Sequence, residues 1–64
     1  MTENMKTWLK NLYLQAANDH FETGKFEHNC ALGSSTSEMS TLHEMNADEH
    51  RAFGLILKQM SEEI

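Results

Sequence analysis

The sequence predicts an all-α protein folded as a helical hairpin. Three observations lead there. Apolar residues recur at three- and four-residue spacing in two long runs, a stretch containing glycines and paired serines separates the runs, and no proline interrupts them. With 64 residues there is room for one small helical domain, residues 1–64.

The first helix is expected over residues 3–22. Thr2 is a good N-cap, and Glu3 places an acid in the first turn, where the helix dipole favours it. Met5, Trp8, Leu9, Leu12 and Ala16 then form one apolar stripe. Gly24, just beyond Glu22 and Thr23, supplies a natural stop. Leu14, Ala17 and Phe21 make a second stripe, almost opposite the first. A helix with a single neighbour can cover only one stripe. The larger stripe is therefore assigned to the core, and Leu14, Ala17 and Phe21, with Leu55 from the second helix, to a partner or dimer interface.

Residues 23–36 lose the periodicity and are expected to form the loop. Phe26, Cys30, Ala31 and Leu32 are apolar enough to fold back over the helix ends, and residues 25–28 have room for a short extended piece. The second helix is expected over residues 37–63, long or kinked. Ser35 with Glu38 has the form of a capping box, and Asn46 with Glu49 repeats it. Met39 and Leu42 nevertheless share a helical angle with Phe53, Ile56 and Met60, which favours one helix whose apolar face has a polar middle. In the expected core Phe53, Ile56, Leu57 and Met60 meet Trp8, Leu9 and Leu12.

A chain this short buries only about 60% of the surface it exposes when unfolded, so its stability is marginal without a disulfide, a metal or self-association. One cysteine, Cys30, cannot form an internal disulfide, which fits a reducing compartment and places the protein in the cytoplasm. No run is apolar for the roughly 20 residues that a membrane span needs. Two apolar stripes on the first helix favour association, and a dimer of hairpins packed as a four-helix assembly is the expected form.

The histidines are weak candidates for a metal site. His43 and His50 share a face, but their seven-residue spacing separates them by about 10.5 Å, too far to grip one ion. The Glu-x-x-His motif of di-iron bundles is absent, because Ala47 stands three residues after Glu44. His28 and Cys30 would face the same way on an extended loop, and they carry the alternative of a small zinc-stabilised module. No paired Cys and His spacing of the established kind accompanies them, so no metal or cofactor is expected. Two helices enclose little space for a substrate, and neither an enzyme nor a small-molecule substrate is expected.

The charge is −5, with six acids against two bases in residues 33–64. Binding to nucleic acid draws mainly on phosphate neutralisation, and five scattered Lys and Arg residues do not supply it. A helix-turn-helix with its turn near Gly33 is the alternative considered, and its recognition helix would have no Arg or Lys from 34 to 50. The leading expectation is a small acidic regulator or inhibitor of the phage or plasmid accessory type. It would bind itself and a host or cognate protein through apolar helix faces. Glu38, Glu44, Asp48 and Glu49 would form an acidic, nucleic-acid-mimicking face.

Overall fold

A computed structural model describes all 64 residues. The chain forms two helices, α1 (Glu3–Leu32) and α2 (Ser37–Glu62), joined by residues 33–36. They lie side by side and antiparallel, giving a rod whose Cα atoms extend 52 × 13 × 10 Å. The all-α hairpin expected from the sequence is the fold.

Thr2 caps α1, its hydroxyl oxygen accepting from the Met5 N–H at 3.2 Å. The cap of α2 is Thr36, not Ser35 of the capping box; it accepts from the Met39 N–H at 3.1 Å, and the helix begins at Ser37, the residue expected. Asn46 does not break α2, which is continuous to Glu62.

The largest difference from expectation lies in residues 23–32. They continue α1 by almost three turns, with neither the expected loop nor an extended piece at 25–28. Gly24 is not a stop. It is buried in the contact between the helices, where a Cβ would stand 3.3 Å from the Ala47 carbonyl oxygen. A mid-helix glycine costs about 1 kcal/mol relative to alanine, and here it lets two backbones approach. The glycine that ends the helix is Gly33, whose N–H donates to the Asn29 carbonyl at 3.2 Å.

The residues buried between the helices are small. They are Ala17, Gly24 and Ala31 on α1 and Ala47, Gly54 and Ser61 on α2, seven residues apart within each helix. A seven-residue repeat keeps one seam facing its partner along two wound helices. Ser61, fully buried, satisfies its hydroxyl by donating to the Lys58 carbonyl at 2.6 Å. Phe21 closes over Gly54, where a Cβ would lie 2.6 Å from the ring.

This seam inverts the expected core. Trp8, Leu12, Phe53 and Ile56 are between 46% and 66% exposed, and Met60 is also exposed. Ala17, expected at an interface with a partner, is 1% exposed because it packs against α2 of its own chain. Phe21 turns inward with it, and Leu14 is half-buried on the same side. Leu55 alone of that expected set stays open, 57% exposed. Of the expected core only Leu9 and Leu57 are half-buried, and the centre of the contact is taken by small residues, because only they allow the close approach.

Gly54→Ala should therefore destabilise the hairpin despite alanine's better helix propensity. Combined with Phe21→Ala, the same change should become stabilising by up to about 1 kcal/mol. Urea unfolding of the four chains in the cycle checks this, and a stabilising Gly54→Ala beside an intact Phe21 would refute the close contact.

Candidate functional site

Two features of the rod are chemically distinctive: a row of histidines along the seam and a broad apolar face beside it. All four histidines of the chain bond across from one helix to the other. His20 and His50 bring their Nδ1 atoms to 3.0 Å, with ring centroids 5.3 Å apart. One ring must donate N–H while the other accepts, so with both neutral the two hold opposite tautomers. Two turns towards the loop, His43 Nδ1 bonds Glu27 Oε2 at 2.5 Å, and His28 Nδ1 bonds Glu44 Oε1 at 2.6 Å. The dipeptide Glu27-His28 thus faces His43-Glu44 in a reciprocal pair of contacts.

Burial separates these two contacts. The His43 and Glu27 side chains are 25% and 19% exposed, those of His28 and Glu44 49% and 42%. The first pair occupies the more desolvated side of the seam, where an unpaired carboxylate would be costly. The second pair is screened by water and contributes little.

No three His, Cys, Asp or Glu side chains converge as a metal cage would require. His28 and Cys30 were paired on the expectation of an extended loop. On the helix that forms, two residues' separation turns them about 200° apart around the axis.

The apolar face follows from the geometry of the pair. Antiparallel helices in contact are related by a two-fold axis normal to the plane that holds them, so equivalent positions on both face the same side. Residues adjoining the seam on the His20 side therefore line one surface, and the Phe53 ring lies there with its centroid 5.6 Å from that of His20. On the seven-residue repeat, Leu9 from α1 and Met39, Phe53 and Met60 from α2 belong to this surface, with Met5, Leu12, Phe26, Leu42 and Ile56 along its outer edges. Trp8 and Met45 stand along its margins. All of these except Leu9 are exposed. Asp19, Thr23, Asn46 and Glu49 interrupt the face near its middle, beside His20 and His50.

The opposite side is more polar. It holds an open groove of about 550 Å³ bordered by Phe21, Gly24, Lys25, Arg51 and Leu55. The four acids expected to form one face do not share it. Glu44 bonds His28 and Asp48 lies 3.7 Å from the Arg51 guanidinium, so two of the four are engaged with neighbouring side chains, and Asp48 and Glu49, adjacent in sequence, are turned about 100° apart on α2. The side-by-side antiparallel packing is also unlike a helix-turn-helix, whose helices cross at about 90–120°.

Sequence reasoning overlooked the cross-helix pairs because it asked whether the histidines approach one another within a helix. The detectable signal was the reversed order of Glu27-His28 and His43-Glu44 about the turn. No helix is long and apolar enough to cross a membrane.

His43→Ala should lower stability by roughly 1–2 kcal/mol by orphaning Glu27, and His28→Ala by less than about 1 kcal/mol. Urea unfolding at constant pH measures both, and equal losses would contradict the difference in burial. Nitrogen-15 shifts of the rings should also report opposite tautomers for His20 and His50. In comparison with known proteins, no family model matches the chain, and neither a curated protein nor a solved structure matches it.

Proposed function

We propose that this chain is a small protein-binding regulator or inhibitor that acts by association and carries out no reaction of its own. The observation that supports this most directly is where the large apolar side chains stand. Thirteen are exposed, and the hydrophobic residues buried within the hairpin are three alanines. Contiguous exposed apolar surface on a small protein marks a binding surface. Most of it lies on one side, along both helices, and its edges carry Trp8 and Met45, residue types favoured at protein contacts.

The acidic balance of −5 adds selectivity to this surface. It favours basic partner proteins and disfavours nucleic acid and anionic lipid, both of which repel it. The acids are spread over several sides of α2, which supports a general electrostatic bias better than a nucleic-acid-mimicking strip.

Photo-cross-linking in the cells that make the protein tests the proposal. A benzophenone side chain introduced at Ile56, on the apolar face, should give protein adducts in high yield. The same group at the neighbouring Leu55, on the polar side, should give few. Adducts from Leu55 only, or from neither position, would overturn the assignment of this face as a protein-binding surface.

A further inference from the structure

We infer that the occupant of the apolar face is a second copy of this chain, laid on it face to face and end for end, so that two hairpins form a four-helix bundle with their loops at opposite ends. This rests on the reading of that face as protein-binding, and names what it binds.

Three observations carry the inference. The first is size. The face runs the length of a rod 52 Å long. At about 20 Å across, two helix diameters, it offers about 1,000 Å² of projected area, against the roughly 800 Å² per partner of a standard stable interface. The hairpin needs such cover, since it buries only six of its residues by itself.

The second is self-complementarity. The polar band of Asp19, Thr23, Asn46 and Glu49 flanks the His20–His50 contact, with apolar surface on both sides of it along the rod. A two-fold axis through that contact sets polar band on polar band. It also lays Met5, Leu9, Leu12, Phe53, Ile56 and Met60 of each copy over Phe26, Met39 and Leu42 of the other. An unrelated partner would have to reproduce this apolar–polar–apolar pattern along two helices, whereas the chain's own copy has it already.

The third is charge, which decides the direction. Dividing the rod at the His20–His50 contact leaves six acids and one base on the loop side, residues 21–49, and four acids and four bases on the side of the termini. The whole excess of −5 therefore sits in the loop half. With loops together, two halves of charge −5 would be stacked within a Debye length of about 8–10 Å. Reversal end for end places each charged half on a neutral one.

Sedimentation equilibrium, together with electron–electron distance measurement between nitroxides, tests the inference on the full chain. The label is attached in the loop through Ser35→Cys in a Cys30→Ser background. The expected result is a dimer whose loop labels are about 45 Å apart, twice the rise from the His20–His50 contact to the turn. Leu12→Glu and Phe53→Glu should each weaken the dimer about a hundredfold or more, while Leu55→Glu on the polar side leaves it intact.

A dimer with labels closer than about 20 Å has its loops together, and would overturn the arrangement. A monomer at submillimolar concentration would overturn the second copy as occupant, but the cross-linking test of the face would stand. A dimer broken by Leu55→Glu and not by Leu12→Glu would overturn both. The label distance is read on a chain with an unaltered apolar face, so it remains decisive if the glutamate variants fail to fold.

Discussion

The close approach of two backbones along the line of small residues is the constraint on which the rest of this structure depends. A Cβ on Gly24 would come within 3.3 Å of the Ala47 carbonyl oxygen, and one on Gly54 would enter the Phe21 ring. At that separation large side chains cannot stand between the helices. They are displaced to the flanks, and the side chains just beside the seam are near enough to bond across it. The reach of the His–Glu pairs, the position of Phe21 and the exposure of Trp8 and Phe53 all follow from one distance.

Close packing sets part of the register, since Phe21 needs Gly54 beneath its ring and Gly24 needs the Ala47 backbone beside it. The polar contacts specify the same register. His20 meets His50, Glu27 meets His43 and His28 meets Glu44, and the two residue numbers of each contact add to nearly the same value. All three contacts therefore describe one alignment, and a shift by a turn would break them together. Partly buried polar pairs of this kind are better suited to selecting one arrangement than to adding net stability, because desolvation offsets much of their attraction.

The same division of labour separates holding the hairpin together from meeting other molecules. Small and polar residues join α1 to α2, which leaves the larger apolar residues outside, arranged along both helices on one side. The rod carries two grooves, of about 550 and 350 Å³, both open to solvent. Its chemical resources are surface area and a negative charge concentrated near the turn, both of which suit association.

By itself the sequence determined the class of fold: two helical runs, a threonine cap at Thr2 and a second helix starting near residue 37, whereas the short turn after Leu32 and the continuity of α2 through Asn46 came from the structure. The former are local properties, set by side-chain spacing and by backbone groups within a few residues. It also showed that α1 carries two opposed stripes, Met5-Trp8-Leu9-Leu12-Ala16 and Leu14-Ala17-Phe21. Which stripe faces the partner helix was a tertiary decision, and ranking the stripes by hydrophobicity gave the wrong one. The helix–helix contact is governed by how closely two backbones can approach, so Ala17, Gly24, Ala31, Ala47 and Gly54 prevailed over Trp8 and Phe53. The extension of α1 through Gly24 to Leu32 has the same origin. A glycine that reads locally as a stop is retained inside the helix because α2 lies against it, and no window of sequence around Gly24 contains the residue, Ala47, that explains it.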